Sequence, residues 1–587
     1  MKVSAILRED VVGCARKRIL PVLAALLTLL AACGPGEVPI ETPEPSLEAT
    51  SALSAETPSP TETPTATPAP AGMTLSVGWE GDLVDCLNFA VCRRGKRAWD
   101  LLYDSLVGWG AVGDEGIAPR LAESWDVAPG SMKITFHLRD LEGSTFHDGT
   151  PFTAEDVAWS LNYHAGNGAL AWLLGTAVGQ GFGAQAVDDE TVELHLIEPI
   201  NSDVLLSYLT NVYVLPPQIW SAYDETTIES FRNLDAIGSG PYLLADWAPG
   251  EHMIFEAHEA SPLGRPPFDR VVVRFFPEPD SMSRALLAGE IGMLSSLRPI
   301  EIASLVDSPD IELYEKAPIN GYWLVFNSWE DGGQAAAIGD RAVRQAIAHA
   351  IDQRTLIESV EAGAGVSPDS LWDGGERYDQ WAHPELTAYS FNLDRAAELL
   401  EAAGYTDEDG DGVREAEGRP QASLELRLSY STDLPEPERL AQMIADWLRE
   451  IGVGVELEGL SSTRLSENML SADYDMAIDR IDLGPDPDLS LYHMTSWALD
   501  AGVNGSGYGN IELDSMYLAQ HYAADKAERS MYLWSAQQIL HDDLPWIPLL
   551  YSEAYDVVRG DRFDLTITDT YDEIWGWYGI WGIQAAE

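Results

Sequence analysis

Two adjoining stretches decide the class of fold: RLAQMIADWLREIG, residues 439–452, and VGVELEGL directly after it. Leu440, Ile444, Trp447, Leu448 and Ile451 recur at helical spacing, and Gly452 supplies a left-handed stop. Val453, Val455 and Leu457 then alternate, the period of a strand. A chain that runs from an amphipathic helix straight into a strand is layering helices on a sheet.

Other segments repeat the theme. TAEDVAWSLNYH opens at Thr153 with Asp156 three residues on, a capping-box pattern. DRAVRQAIAHAIDQRTLIESV reads as helical, with Asp340 as N-cap and Val343, Ala346, Ile347, Ala350, Ile351 and Ile357 on one face. NLDRAAELLEAAG buries Ala396, Leu399, Leu400 and Ala403 before Gly404 stops it. KITFHL, VELHL, MIFEAH, RVVVRFF, YWLVFN and LELRLSY read as strands. No repeat of 20 to 50 residues is visible, and 587 residues exceed the size of one ordinary domain. The expectation is an α/β protein of more than one lobe.

The N-terminus carries a different signal. Arg16, Lys17 and Arg18 precede ILPVLAALLTLLAAC, too short for a membrane span and suited to an export signal. Leu30, Ala31 and Ala32 before Cys33 match a bacterial lipobox, in which the cysteine is lipidated and becomes the first mature residue; the alternative is a cleaved signal with an incidental cysteine. Residues 33–72 are rich in Pro, Thr, Ser, Glu and Ala without apolar period and read as an extended tether. Cys86 and Cys92 lie in the exported portion, either as a disulfide or as two free thiols. A formal charge of −60, from 35 basic against 95 acidic residues, excludes nucleic acid and disfavours anionic membrane surfaces.

Catalytic motifs are missing. Neither AIGSGPY nor VNGSGYG has the spacing of a nucleophile elbow, and no phosphate loop, dinucleotide fingerprint or zincin pair is present. With 95 acidic residues, paired carboxylates are guaranteed and uninformative. One loop stands out: GYTDEDGDGVREAEG, residues 404–418, sets Asp407, Asp409 and Asp411 at alternate positions before Gly412. The twelfth position, where a calcium hand needs a bidentate glutamate, is Gly418. The three aspartates either hold a structural calcium that orders the loop or are screened by solvent.

Longer phrases carry a family resemblance. APRLAESWDV, KITFHLRDLEGSTFHDGTPFTAEDVAWSLNY, GSGPYLLADWAPGEHMIFEAHE, VRQAIAHAIDQRTLI and AAELLEAAGYTDEDGDGVRE resemble, in order, segments of the family 5 extracellular solute-binding proteins of ABC importers. The likeness spans residues 73–587. It implies an α/β, two-lobed periplasmic-binding-protein fold of type II, in the large peptide-binding subclass, with an extra subdomain in the first lobe. The implied boundaries are a signal peptide at 1–32, the tether at 33–72, lobe 1 with its insertion at 73–318, lobe 2 at 319–547 and a return to lobe 1 at 548–587.

The implied function is capture of a peptide or peptide-like solute by hinge closure and delivery to permease subunits in the membrane. No enzyme activity and no required cofactor are expected. The protein would be a monomer outside the cytoplasm, held to the membrane by its N-terminal lipid alone. By the resemblance, Asp482 and then Asp486 in DRIDLGPDPDLSLYHM are the acids that would receive a ligand's amino terminus, and the inserted Pro485 disturbs their register. Arg480 replaces an aromatic of the family and either receives a carboxylate or phosphate or pairs with a neighbouring aspartate. Tyr322, Trp323 and Asn327 match a cleft-lining strand; alternation puts Tyr322 and Trp323 on opposite faces, one of them core. Trp79 and Glu80 follow the first strand, where members touch ligand, and the aromatic tail YDEIWGWYGIWG reads as lobe packing. The alternatives carried alongside are an extracytoplasmic hydrolase and a ligand sensor derived from a receptor.

Overall fold

In the computed structural model the described residues run from 73 to 585, without 82–85, 93–94, 110–115, 129–131, 168–169, 171–181, 330–336, 373–379, 418, 485 and 566–582. The signal segment, Cys33, the tether, Pro485 and the 571–582 tail lie outside the described residues.

Two long strands organise the body. Ile311–Phe326 and Trp546–Arg559 pair antiparallel along nearly their whole length, with Ile311 opposite Arg559 at one end and Val325 opposite Trp546 at the other. At the Ile311 end, Trp546–Arg559 is flanked by Met293–Leu297, and the sheet continues through Thr74–Glu80, Arg270–Phe276, His252–Ala257 and Tyr242–Ala248. At the other end, Ile311–Phe326 is flanked by Met476–Asp482, then Glu425–Ser431 and Gly454–Leu460. The pairing between the two crossing strands shifts register between Lys316 and Asn320 and again between Tyr322 and Trp323.

Each half has its own core. Val77, Trp99, Tyr242, Phe255 and Val273 pack together in the first. In the second, Leu324, Ile347, Leu428 and Leu448 fill one face of the sheet, and Trp323, Tyr474, Leu513 and Leu540 fill the other. A separate four-stranded sheet, in the order Ala122–Val127, Lys133–Leu138, Thr191–Leu196, Phe182–Asp188, has a third core with Phe136, Leu161, Val192 and Leu205.

Local chemistry accounts for the helices. Thr153 and Asp156 form the expected capping box, the Thr153 N–H donating to the Asp156 carboxylate at 2.9 Å. Helix Pro435–Glu450 ends before Gly452, whose φ of +82° an L side chain rarely adopts, and strand Gly454–Leu460 follows directly. The stretch 340–360 differs from expectation. It forms two helices, Arg341–His349 and Gln353–Val360, because Asp352 caps the second by accepting from the Thr355 N–H at 3.2 Å. Every residue assigned to its apolar face is buried all the same. The Asp407 loop is the tip of a small hairpin between Tyr405–Thr406 and Glu415–Ala416, within the connection from helix Leu393–Ala402 to strand Glu425–Ser431.

Candidate functional site

In open α/β sheets, ligands collect outside the carboxyl ends of the strands, where chains turn back and backbone groups are free to serve a ligand. In the first half, Thr74–Glu80 and Arg270–Phe276 run parallel and end at Glu80 and Phe276. In the second, Glu425–Ser431, Gly454–Leu460 and Met476–Asp482 run parallel, the last ending at Asp482.

Charged groups of both halves meet beside these ends. Arg298, just after strand Met293–Leu297, donates to Glu301 through Nε at 3.0 Å and Nη2 at 2.6 Å, and through Nη1 to Glu436 in the first turn of helix Pro435–Glu450. That bond joins the two halves. Ser296, two residues earlier, has φ +58°, and its N–H donates to Asp556 at 3.0 Å; Asp556 in turn lies 3.5 Å from buried Lys316. A non-glycine residue in the left-handed region is held there by its surroundings. Here the clamp is on the crossing strand. Glu80 is exposed, yet burial of its carboxyl and repulsion from Glu301 raise its pKa against Arg298, Arg480 and Arg97. Burial and the nearby Glu436 push the Tyr322 hydroxyl up to about 12, with Arg480 and Arg298 opposing.

A cavity of about 330 Å³ opens in the second half. Trp323, Asp479, Asp482, His493, Met494 and Trp546 contribute to its wall. Trp323 stands opposite Asp479 in the strand pair, so both side chains project to the same face. Tyr322 stands opposite Arg480 and projects to the other. Trp323 therefore faces the cavity while Tyr322 joins the opposite core, as alternation requires. The Trp323 indole N–H donates to the Tyr551 hydroxyl at 3.3 Å, and its ring lies 6.3 Å from that of Trp546. Asp479 has open surface towards the cavity but is ringed by protein; this burial pushes its carboxyl up to about 6, against one backbone N–H from Arg480. Burial lowers the His493 pKa.

Three expected contacts are committed elsewhere. Asp486 is the N-cap of helix Pro487–Tyr492 and takes a bidentate pair from Arg529, at 2.6 and 2.8 Å, which leaves it a structural acid rather than a receptor for an amino terminus. Asn327 donates to the Ala472 and Tyr474 carbonyls and accepts from the Trp329 N–H, so its amide fixes a turn. Trp79 is 3% exposed and packs into the first core against Phe275. Asp482 stays at the cavity wall, its Oδ1 accepting from the Gly484 N–H at 2.9 Å. Cys86 and Cys92 are bonded through their sulfurs, their Cα atoms 6.1 Å apart. The ligand oxygens of Asp407, Asp409 and Asp411 lie within 4.8 Å of one another, all three residues exposed.

Sequence reasoning missed Asp488. It is 1% exposed and accepts from the hydroxyls of Tyr208 (2.9 Å) and Tyr517 (3.5 Å) and from Gln520 Nε2 (2.5 Å), with His521 Nδ1 at 3.0 Å. Burial works against its carboxylate, but His521, Arg529 and Gln520 outweigh it and hold the pKa below the ordinary value. Tyr208 belongs to helix Ser202–Leu209, which packs with the four-stranded sheet, so this network ties that sheet to the second half. Asn201, its N-cap, adds bonds to the Ala523 and His521 carbonyls at 3.0 and 2.8 Å.

With this geometry in place, the chain can be set beside known proteins. Residues 116–500 match the family model described as bacterial extracellular solute-binding proteins, family 5 Middle. Heme-binding protein A of Haemophilus influenzae is 25% identical over 488 residues, covering 77% of this chain and 82% of that protein. The ABC transporter substrate binding protein CtaP of Listeria monocytogenes superposes with a TM-score of 0.73 at 23% identity, covering 88% of this chain and 100% of that one. The oligopeptide-binding protein AppA of Bacillus subtilis, solved in complex with a nonapeptide, gives 0.69 at 19% identity, covering 88% and 99%. The fold is that of these structures: α/β, type II periplasmic binding, of the large peptide-binding class.

Proposed function

We propose, from the premise that the chain belongs to the bacterial extracellular solute-binding proteins of family 5, that it captures a peptide or peptide-like solute between its halves and delivers it to the permease of an ABC importer. The family and the relatives are extracytoplasmic binding proteins rather than enzymes, so the hydrolase alternative is dropped. In this reading the lipid on Cys33 and the 33–72 tether keep the receptor close to the permease.

One observation carries the proposal. Strand ends of both halves converge on a single region, where Arg298 of one half bonds Glu436 of the other and strand Met476–Asp482 ends at Asp482. A ligand that bridges such a region favours the closed arrangement by its differential contacts, and a permease can read that state. The nonapeptide of the Bacillus subtilis neighbour supports the peptide class. The Asp407, Asp409 and Asp411 loop holds a structural calcium in the same reading, since each carboxylate that accepts a backbone N–H keeps lone pairs for a cation.

The test is a thermal-shift panel of peptides, sugars, heme, nickel and calcium on the full-length protein, with native mass spectrometry of whatever it retains on purification. One peptide class should raise Tm and bind one to one, calcium should give a separate and additive rise, and Cys33→Ala should leave the membrane fraction. A blank peptide arm together with an empty purified protein overturns the peptide reading.

A further inference from the structure

Two histidines meet where the four-stranded sheet joins the large one, and both serve one backbone turn. Residues 238–240 lead into strand Tyr242–Ala248 of the large sheet and press against Leu102 at the end of helix Lys96–Leu102. A Cβ on Gly238 would stand 2.0 Å from the Leu102 carbonyl oxygen, and one on Gly240 2.4 Å from its carbonyl carbon, so only glycine fits. His258 follows strand His252–Ala257, whose Phe255 belongs to the first core. His147 comes from the other side, in the loop between strand Lys133–Leu138 and helix Ala154–Gly166, next to Phe146 of the third core. The two rings lie 4.9 Å apart, edge-on.

The contacts between loop and turn are reciprocal. The His147 N–H donates to the Gly238 carbonyl at 2.9 Å, and the Gly238 N–H donates back to His147 Nδ1 at 3.1 Å. His147 Nε2 lies 3.1 Å from the Gly240 carbonyl, which His258 Nδ1 also approaches, at 3.2 Å. Thr145 extends the seam, its N–H donating to the Ala260 carbonyl at 3.0 Å and its hydroxyl 3.2 Å from His258 Nε2. A backbone N–H can only donate, so Nδ1 of His147 is the bare, accepting nitrogen and Nε2 carries the proton. An imidazolium has two donors and no acceptor. Protonating His147 therefore breaks the bond from Gly238.

We propose that His147 is an acid-released pin: while neutral it fastens the four-stranded sheet to the turn at 238–240, and once protonated it lets go of that turn. Packing around the half-buried ring pushes its pKa down to about 4 from the ordinary 6.5, with His258 also disfavouring the charged form and the Gly240 carbonyl and Asp148 favouring it. Between pH about 6.5 and 4 the unpinned chain holds more protons than the pinned one. The pin is thus at full strength above about 6.5 and weakens as pH falls. His258 works in the same direction, its pKa lowered by burial with Glu259 opposing. Asp104, buried beside Arg120 and Ser239, works in the other, since burial pushes its carboxyl up to about 6. The pin is therefore to be read at the turn itself rather than in overall stability. An extracytoplasmic protein meets the acidity of its surroundings directly, and the sheet loosened here is the one whose helix sends Tyr208 to Asp488. The inference holds whichever solute is captured.

Two measurements on the full-length protein decide it. Backbone hydrogen exchange read by mass spectrometry, with labelling times scaled for the intrinsic effect of pH, is compared at pH 7.5 and pH 5. Peptides covering 144–150 and 236–241 should exchange about tenfold or more faster at pH 5, while those covering strands Thr74–Glu80 and Arg270–Phe276 keep their protection. In His147→Asn the side-chain oxygen can take the place of Nδ1 and does not titrate, so protection at 236–241 should be the same at both pH values. His258→Gln should keep the acid response. The second measurement needs no variant: exchange of the histidine Cε1 protons, resolved peptide by peptide, should give His147 a midpoint below pH 5. A midpoint near 6.5, equal protection of the turn at both pH values, an acid response that survives in His147→Asn, or one that is lost in His258→Gln overturns the assignment. So does acid exchange that rises evenly over the whole chain.

Discussion

Asp479 and Asp488 lie nine residues apart on one strand, turn and helix, and their surroundings could hardly differ more. Asp488 is enclosed and accepts from two tyrosines and a glutamine with a histidine beside it, so its carboxylate is stabilised below the usual range. Asp479 faces a cavity with one backbone N–H for company, and its carboxyl is pushed up to about 6 by burial. Asp488 is buried and Asp479 is exposed on the cavity wall; they differ both in burial and in whether the fold supplies the counter-groups. A satisfied buried acid is part of the architecture, whereas an exposed one on a cavity wall is not tied into it.

The contrast predicts very different consequences for the two positions. Asp488→Ala leaves Tyr208, Tyr517, Gln520 and His521 without their shared acceptor and should cost about 3–5 kcal/mol, read as a large fall in urea midpoint. A loss under about 1 kcal/mol would break the comparison. Tyr208→Phe removes only the bond that reaches Asp488 from the helix packed on the four-stranded sheet, so it should act on closure more than on folding. The expected effect is about tenfold weaker ligand binding, about 1.4 kcal/mol, with the ligand-free Tm nearly unchanged. An unaltered affinity with a lowered Tm would make the bond a simple packing contact.

Asp479→Asn should have the smallest effect on stability, and of opposite sign. Its folded pKa, about 6, lies above the ordinary 3.8, so between pH about 4 and 6 the folded protein holds more protons than the unfolded chain. Stability from this group is present at low pH and is lost as pH rises through 6. The variant should therefore match wild type near pH 4 and exceed it above pH 6, by less than about 1 kcal/mol because the group keeps contact with solvent. Tm measured across that range, without ligand, decides it.

The sequence made some of this legible and concealed the rest for physical reasons. The helix-to-strand unit at 439–460 is local in origin, set by apolar period and one glycine, and it folds as read. The alternation of Tyr322 and Trp323 is equally local. The break at Asp352 went unseen because the apolar face continues across it, and a cap within a periodic run leaves little trace in composition. The roles of Asp486 and Asp488 depend on Arg529, Tyr208 and His521, which come from distant segments, so no spacing within GPDPD could assign them. Arg529 sits wholly buried in the polar-looking helix Lys526–Asp543, visible only once its partner is known. Asp479 was hidden by abundance: among so many acids, only its place on the cavity wall opposite Trp323 distinguishes it.

The crossing strands also set a timetable. Met293–Leu297 leaves the ribosome with one edge unmatched, because Val557, the partner of Leu294, is among the last strand residues to be made. At about 5–20 residues per second that wait is on the order of tens of seconds. In the second half Val325 waits in the same way for Trp546, but the other strands of that half lie between the two crossings and are all made before Trp546 arrives. During synthesis the half made first is thus the last to be finished, and its waiting edge is where a newborn chain is most exposed to wrong pairing.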